Sequence, residues 1–366
     1  MSHRDLPLRT AIVGFGVAGS IFHAPLVAAD PAYRLEVIVT GDAERAAQAR
    51  SRYPKARIVA DFETLLATVD AGEITLDLVI LATPPEGHRR QAEAIIARKL
   101  ALVVDKPFAA CLEDAKAITQ AAQEAGTPLS VFHNRRWDGD FLTLSRLIAN
   151  DALGRVRSFE SRFTWWMPEG FGNWRDTTPV DQAGGLLFDL GSHLIDQALQ
   201  LFGPVDSVHA ELDRHSDSAG ADEDAFVTLL HRSGVRSRLW MNGLAAQAGP
   251  RFHVLGSQAA FVKYGLDGQE AALARGASPL DDTYGIDDVQ PILGAGNDLH
   301  QIEPARGDYP AYYSQLAKSL TEDAPLPVTA VEALDVLAII ETVHRHFAVR
   351  ATSTPNSSAT TTRKGQ

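Results

Sequence analysis

Three polar side chains at separate places in the chain have the types that a hydride-transfer site needs. Lys106 follows the apolar run ALVVD, and Asp189 and His193 lie four residues apart within FDLGSHLID. An imidazole, whose ordinary pKa is about 6.5, can take the proton of an alcohol at neutral pH. An ammonium stabilises negative charge on oxygen where water is excluded. We therefore predict an alcohol-to-ketone proton relay, with Asp189 on the same helix face as His193, orienting the imidazole or binding substrate hydroxyl groups.

A glycine-rich turn, GFGVAG, supplies the matching cofactor site. It follows the strand-like run RTAIVG and opens the helix-like segment VAGSIFHAPL, the context that gives such a motif its meaning. Gly14 is expected to make the tight turn, Gly16 to let the backbone approach a pyrophosphate, and Gly19 to allow close packing of helix and sheet. The phosphates would then lie at the helix N-terminus. The predicted contacts are Gly14, Phe15, Gly16, Val17, Ala18 and Gly19.

The end of the second predicted strand, VIVTGDAERA, bears on the choice between NAD and NADP. An NAD enzyme usually places a carboxylate there, on the ribose 2′-hydroxyl, and the alignment of the motif puts Gly41 at that position. This favours NADP, with Thr40 as a hydrogen-bond donor and Arg45 as a cation for the 2′-phosphate. NAD stays open, because a shift of one residue would make Asp42 the selecting acid.

A further loop, ATPPEGH, follows the fourth predicted strand. Thr83 and Pro84 are expected at the carboxyl ends of the strands, which line the ligand crevice of such sheets. His88 begins the next helix, where it either borders the cofactor or is a polar residue of the first turn.

Short β-rich runs alternate with helix-like segments from residue 8 to about residue 133. The runs are nearly continuous in apolar residues, which is typical of parallel strands covered on both faces. This alternation predicts an α/β Rossmann fold with a doubly wound parallel sheet. The predicted strands are RTAIVG, RLEVIVT, ARIVA, LDLVILATP, ALVVD and PLSVFH.

From about residue 150 the pattern changes to alternating strands. GRVRSFESRFTWW reads as a half-buried antiparallel strand, AFVTLLHRSGVRSRLWMNGL as a hairpin, and RFHVLGSQAAFVKYG as another strand pair, with one helix from about Asp189 to Phe202. We predict an α+β domain with an open, mainly antiparallel sheet. Its bare face would be covered by a partner subunit. The predicted boundaries are residues 1–133 for the dinucleotide-binding domain, 134–350 for the substrate-binding and oligomerisation domain, and 351–366 for a disordered tail.

Composition limits the function classes. The net charge of −12 argues against nucleic-acid binding and against a polybasic membrane anchor. No apolar run approaches the roughly 18 residues that cross a bilayer. The only cysteine, Cys111, excludes an intrachain disulfide and suits a reducing compartment. A cytoplasmic protein without a metal site is expected.

These motifs together resemble the glucose–fructose oxidoreductase/inositol dehydrogenase family (Gfo/Idh/MocA), over essentially the whole chain except the tail. The family's Glu-Lys-Pro is matched by DKP at residues 105–107, and its Asp-x-x-x-His by Asp189 and His193. The segments GSIFHAPL, SVFHNRRWDGDFLT, FVKYGLDGQE and GDYPAYY are similar to the branch with NADP-dependent scyllo-inositol dehydrogenases and related sugar or polyol oxidoreductases.

The resemblance implies roles by position. Lys106 and His193 would be catalytic, Asp189 would position His193 or the substrate, and Asp105 and Lys106 would also border the cofactor. Members are commonly dimers or tetramers joined through the second-domain sheet. Two departures are that Asp105 replaces the commoner Glu, and that the loop WWMPEGFGNWRDTT is poorer in arginine than its relatives, which puts the particular polyol in doubt.

Other residues are expected near the cleft. Trp174 and Arg175, in the arginine-poor loop, would lie near the nicotinamide or substrate, although Trp174 could equally be a packing residue. The basic pair in HNRRWD, Arg135 and Arg136, is expected at the domain junction or beside the cofactor phosphate or substrate. Three tyrosines are predicted to pack at that junction, with one hydroxyl reaching the cleft: Tyr309, Tyr312 and Tyr313.

The function that these expectations favour is an NADP-dependent oxidoreductase of a cyclic polyol or sugar. One alternative is a non-catalytic cofactor-sensing regulator on the same fold, which would have no reason to keep Lys106, Asp189 and His193 together. Another is an NAD-assisted glycosidase, which would hold its cofactor tightly and recycle it.

Overall fold

The first sheet has the strand order of a dinucleotide-binding fold. The computed structural model describes residues 7–172, 176–215 and 220–351, and within them six parallel strands are arranged in the order β3-β2-β1-β4-β5-β6. Their interiors are buried on both faces, as the continuous apolar runs predict. The bounds are β1 Leu8–Val13, β2 Tyr33–Val39, β3 Arg57–Val59, β4 Leu78–Leu81, β5 Ala101–Asp105 and β6 Leu129–Phe132.

The connections between these parallel strands contain helices, which cover the sheet. α5 ends where predicted, because Gly126 takes up a left-handed conformation with φ of 62° that terminates a helix at little cost. The first crossover begins with a π-helical turn, Ala18–His23, that continues into α1. The helices are α1 Ala24–Ala29, α2 Ala43–Arg52, α3 Phe62–Asp70, α4 His88–Ile96 and α5 Leu112–Ala125.

The second sheet is open and mainly antiparallel. Among the described residues it contains nine strands in the order β14-β13-β12-β11-β7-β10-β9-β8-β15. The predicted hairpin is β9–β10, with φ of 85° at Gly234 in its turn, and the predicted strand pair is β11–β12. The strands are β7 Ser158–Thr164, β8 Val205–Arg214, β9 Asp224–His231, β10 Arg236–Asn242, β11 Phe252–Leu255, β12 Ala260–Lys263, β13 Ile292–Ala295, β14 Asp298–Gln301 and β15 Val349–Ala351.

Helices lie against one face of the second sheet. Along β7, residues alternate between buried and half-buried, so one face packs on the core while the other stays open. α7 and α10 contact the inner face, and α10 also contacts α5 and β6 of the first sheet. The remaining helices are α6 Gly139–Ala149, α7 Ser192–Phe202, α8 Gln269–Ala274, α9 Pro310–Thr321 and α10 Ala330–His346.

The structure changes three details of the predicted elements. β7 is antiparallel to β11 but parallel to β10, because the chain returns to the sheet through a helical crossover. The helix predicted from about Asp189 begins as a π-helical turn, Leu187–Gly191, before α7. Ala351, assigned to the tail, ends β15, which pairs with β8; the rest of the tail, residues 352–366, lies outside the described residues. No described helix is long and apolar enough to cross a membrane.

Candidate active site

The glycine turn follows β1 and is as tight as the sequence predicts. Gly14 has φ of 97°, and a Cβ there would lie 2.5 Å from the carbonyl oxygen of Ala82. A Cβ at Gly19 would lie 2.0 Å from the Gly14 carbonyl oxygen, so the helical turn packs directly on the glycine turn. At Gly16 a Cβ would contact only the Arg45 guanidinium, at 3.8 Å. The backbone of Gly16 is therefore open to a ligand.

The other residues of the turn differ in what they expose. The Phe15 side chain is buried, with its ring edge-on to Tyr53 at 6.2 Å between centroids. Only its backbone faces the turn. Val17 is exposed and Ala18 half-buried at the start of the helical segment, where free N–H groups and the helix dipole favour an anion.

The end of β2 carries the residues that bear on cofactor choice. Asp42 is the N-cap of α2, and its carboxylate accepts a hydrogen bond from the Arg45 N–H at 2.8 Å. The Arg45 side chain is exposed and reaches towards Gly16. Thr40 donates its N–H to Val59 at 2.9 Å, and Gly41 is exposed. The carboxylate that could select NAD is thus engaged at a helix N-terminus.

His88, predicted either to border a cofactor or to be a polar first-turn residue, is the first residue of α4 and is buried. One ring nitrogen lies 2.8 Å from the Thr83 carbonyl oxygen and the other 3.1 Å from that of Phe108. Burial lowers the pKa of His88, and a neutral imidazole donates to only one of these two carbonyl oxygens. Thr83 itself donates its hydroxyl to Gln91 at 2.6 Å, and Pro84 is exposed in the loop that follows β4.

Lys106 and Asp189 form the ion pair at the centre of the candidate site. The Lys106 Nζ donates to Asp189 Oδ1 at 2.7 Å and to the Asp189 carbonyl oxygen at 3.0 Å. The Asp189 side chain is 3% exposed and that of Lys106 18%. A buried carboxylate needs such a partner. Lys106 follows β5 at the carboxyl edge of the first sheet, so this pair joins the two halves of the structure.

His193 lies two residues into α7, beyond the turn that carries Asp189. It is 4% exposed, and its Nδ1 has no hydrogen-bond partner in the described part of the chain. Burial, and then the positive charge of Lys106, lower its pKa well below the ordinary value. The imidazole is therefore neutral and able to accept a proton. The predicted sharing of one face is modified, because Asp189 stands in the wider π-helical turn.

A buried carboxylate fixes the start of this helical segment. Asp222 Oδ2 accepts the Leu187 N–H at 2.8 Å, and the Asp222 carbonyl oxygen accepts the Leu186 N–H at 3.0 Å. His344 of α10 lies 3.4 Å from Asp222 Oδ1, with its ring stacked on Phe188 at 5.2 Å. Asp222 therefore caps the turn that presents Asp189.

Sequence reasoning missed a second histidine beside the site. His133 follows β6 directly, as Lys106 follows β5, and the last residues of the two strands, Phe132 and Asp105, are paired. It is 2% exposed, and its Nδ1 lacks a partner within the described residues. Burial lowers the pKa of His133, and the positive charges of Arg136 and then Lys106 lower it further. A polar residue directly after a parallel strand is the sequence signal that could have identified His133 as a site residue.

Two arginines surround an aromatic ring near His193. The guanidinium carbons of Arg135 and Arg251 lie 5.0 Å and 4.2 Å from the ring centre of Phe163, which is itself edge-on to His193 at 6.2 Å. Arg251 donates to Gln197 at 2.8 Å and to Ser161. Nothing in the sequence around Arg251 marks it for this position.

The remaining predicted residues have mixed outcomes. Arg136 forms a two-pronged ion pair with Asp196 of α7 and reaches Glu332 of α10 at 2.9 Å, a junction role. The three tyrosines are fully buried; their hydroxyls contact Asp138, Ser130 and His23 rather than the cleft. Trp174 and Arg175 lie outside the described residues. Within those residues, no group of three His, Cys, Asp or Glu could hold a metal.

The residues along the carboxyl edge of the first sheet fit a phosphorylated dinucleotide. An open glycine backbone adjoins a helix N-terminus at β1, and an exposed guanidinium stands at β2. The Lys106 ammonium stands at the end of β5, paired with Asp189. Anions bind such helix N-termini, and this sheet order places the crevice between β1 and β4.

Comparison with known proteins assigns both halves of the chain. Residues 8–133 match the family description "Oxidoreductase family, NAD-binding Rossmann fold". Residues 141–262 match "GFO/IDH/MocA C-terminal domain".

Characterised and solved relatives span nearly the whole chain. It is 34% identical to scyllo-inositol 2-dehydrogenase (NADP(+)) IolW of Bacillus subtilis, over 91% of this chain and 92% of that protein. It is 35% identical to the uncharacterised oxidoreductase YdgJ of Escherichia coli, over 91% and 94%. The solved structure of the putative oxidoreductase yvaA from Bacillus subtilis aligns with a TM-score of 0.84 at 34% identity, covering 92% and 95%.

Proposed function

Because the chain belongs to the Gfo/Idh/MocA family of oxidoreductases, we propose that it interconverts a secondary alcohol and a ketone on a cyclic polyol or sugar, with NADP as cofactor. The chain is an oxidoreductase with an NAD-binding Rossmann domain. The observation that carries the proposal is the contact of Lys106 with Asp189, together with a neutral His193 whose Nδ1 has no hydrogen-bond partner among the described residues.

The proton chemistry follows from the charges of these three residues. His193 accepts the hydroxyl proton as the alcohol is oxidised, since its lowered pKa keeps the imidazole unprotonated. An ammonium has three N–H donors. Lys106 uses two of them for the carboxylate and carbonyl oxygens of Asp189, which leaves one for the substrate oxygen. That donor stabilises the developing alkoxide. A bound nicotinamide cofactor would supply the hydride acceptor for oxidation and the hydride donor for reduction.

The preference for NADP is supported by the arrangement at β2. Asp42 uses its carboxylate to cap α2, which leaves the exposed Arg45 as the charged group that a 2′-phosphate would meet. No ion pair of Arg45 is found among the described side chains. The relative named for NADP(+) and scyllo-inositol supports both the cofactor and the substrate class.

A second copy of the chain is proposed to cover the open face of the second sheet. Trp240 and Phe226 pair across β9 and β10 on this face, edge-on at 6.2 Å. Leu230 is exposed on the same side of β9. An apolar patch on an otherwise solvated sheet face is typical of a subunit interface.

A substrate panel tests the proposed function. The purified chain is incubated with NADP or NAD and with inositols, sugars and sugar acids, and the reduced nicotinamide is followed by absorbance. We expect reduction with at least one cyclic polyol or sugar, and a higher kcat/KM with NADP. Absence of oxidation and of ketone reduction across the panel, with cofactor bound, would reject the proposal.

A further inference from the structure

His23 is a fully buried histidine that the proposed chemistry does not use. It is the last residue of the helical turn that starts at the glycine motif. Its Nδ1 lies 2.6 Å from the Tyr313 hydroxyl and its Nε2 3.5 Å from Asp105 Oδ1. Its ring packs on Phe132 at 4.4 Å between centroids. The imidazole thus connects the phosphate-facing helix to the end of β5.

The hydroxyl of Tyr313 fixes which nitrogen of His23 carries the proton. Tyr313 is fully buried, and burial raises its pKa well above the ordinary value, so the O–H keeps its proton. Among the described residues, its only hydrogen-bond partner is His23 Nδ1. A buried O–H without an acceptor is costly, so the hydroxyl donates and Nδ1 accepts. A neutral imidazole with an unprotonated Nδ1 carries its hydrogen on Nε2.

The protonated Nε2 has one acceptor in reach. It is buried and has no hydrogen-bond partner among the described residues, and the Asp105 carboxylate lies 3.5 Å from it. At 3.5 Å the contact is longer than a hydrogen bond. The contact is therefore an electrostatic one between the Nε2–H and the carboxylate. If His23 only filled space, an apolar side chain would serve as well, and the buried hydrogen bond between Tyr313 and the imidazole would have no purpose.

Asp105 stands on the side of the sheet where the nicotinamide half of a cofactor would lie. It ends β5 and precedes Lys106, and its side chain is 16% exposed. Arg45, which follows β2, lies on the other side of the glycine turn from β5, where the adenosine half would lie. A dinucleotide across this crevice has its phosphates at β1 and its two halves on either side.

We propose that His23 is a positioning residue, which with Tyr313 holds the Asp105 carboxylate in place for the nicotinamide half of the cofactor. This inference rests on the proposed cofactor-dependent function. It gives the helical turn Ala18–His23 a second role, which is to position Asp105 at the end of β5, next to Lys106.

The test separates the two halves of the cofactor and does not depend on substrate. Calorimetry measures the Kd of NADPH and of 2′-phospho-ADP-ribose, which lacks only the nicotinamide. We expect His23→Leu to weaken NADPH about tenfold, because the Asp105 carboxylate loses the N–H that faces it, and to leave the fragment unchanged. His23→Gln, which places an amide N–H near the position of Nε2, is expected to restore most of the NADPH affinity.

Two tyrosines of α9 provide the matched comparison. Tyr313→Phe frees His23 to move its proton to Nδ1 and should weaken NADPH but not the fragment. Tyr312→Phe removes an equally buried hydroxyl that is bonded to Ser130 at 2.8 Å, and should change neither. Equal losses for NADPH and fragment in the His23 and Tyr313 variants, or no loss, would overturn the inference. Failure of the unaltered chain to bind NADPH or NADH would instead reject the proposed function.

Discussion

The ammonium of Lys106 donates hydrogen bonds to two oxygens of Asp189 in the absence of substrate. The Asp189 side chain is only 3% exposed. Removing either partner therefore leaves the other charge unpaired and largely shielded from water. The same positive charge contributes to the lowered pKa of His193. At the scale of residues, the three groups are therefore coupled, and a change at one alters the others.

Removing the ammonium or the imidazole should abolish most turnover. Lys106→Ala and His193→Ala are each expected to lower kcat/KM by about two to four decades, the contribution typical of an acid–base group. Cofactor binding, measured by calorimetry, should persist. Lys116→Ala and His300→Ala remove exposed residues of the same types and serve as controls. Turnover like that of the unaltered chain in both site variants would contradict the assigned roles.

Arg45→Ala should weaken NADP more than NAD. The lost guanidinium would no longer pair with the 2′-phosphate, and a charged hydrogen bond of this kind corresponds to roughly ten- to a hundredfold in affinity. The comparison is the Kd of each cofactor, with Arg50→Ala, an exposed arginine on the same helix, as control. Equal effects on both cofactors would show that Arg45 does not read the phosphate.

The pH dependence of alcohol oxidation should lack an acid limb near neutrality. The base must be unprotonated, and burial together with Lys106 places the pKa of His193 well below its ordinary value. Protonation therefore begins only at lower pH, and kcat/KM is expected to stay flat from about pH 8 to about pH 6.5. A profile of kcat/KM against pH checks this. A half-maximal point at or above the ordinary histidine pKa would contradict it.

At the scale of elements, a short capped turn determines where Asp189 and His193 point. The turn has a wider π-helical form before it continues as α7, a feature that is frequent at functional sites. Gly185, with φ of 96°, allows the approach of Asp222, which would lie 2.4 Å from a Cβ there. The chain thus enters the helix with its first N–H groups already satisfied by Asp222.

Asp222→Ala should loosen this turn. Loss of a helix cap costs about 1–2 kcal/mol in the free energy of unfolding, measured by urea titration. We also expect kcat to fall by about tenfold while cofactor affinity stays unchanged, because the cap acts on the segment of Asp189 and not on the glycine turn. Asp222→Asn keeps an oxygen acceptor and should lie closer to the unaltered chain. Equal loss of cofactor affinity would point to general unfolding instead.

At the scale of the whole molecule, the outer face of the second sheet has no covering layer in the described chain. Its inner face is packed by α7 and α10, whereas Trp240 and Phe226 on the outer face are half-buried. The ends of the sheet differ from this centre, since β14 is exposed along its length. A partner is therefore expected over the centre, across β9 and β10.

Trp240→Glu should reduce the proposed oligomer to smaller species. The substitution places a charge opposite the same surface of a second copy, where desolvation is costly. Light scattering coupled to size exclusion measures the mass. Val331→Glu, at an exposed position of α10, is the control. An unchanged mass for Trp240→Glu, or a monomeric unaltered chain, would exclude this face as the interface.

Local sequence patterns were sufficient for the first sheet and for the glycine turn. The parallel strands and the stop at Gly126 follow from apolar runs and from a backbone conformation that only glycine adopts cheaply. Short strands such as β13 and β14, and the parallel pairing of β7 with β10, have no such signature, because strand partners depend on contacts far apart in sequence.

The sequence by itself therefore determined the class of fold, the cofactor turn and the types of the reactive groups. Only the tertiary structure decided which of them meet: Lys106 contacts Asp189 from 83 residues away, Asp42 caps a helix, and His23 faces Asp105. The physical reason is that backbone preference is a property of neighbouring residues. The partner of a buried charge is instead chosen by the packing of two sheets and the helices between them.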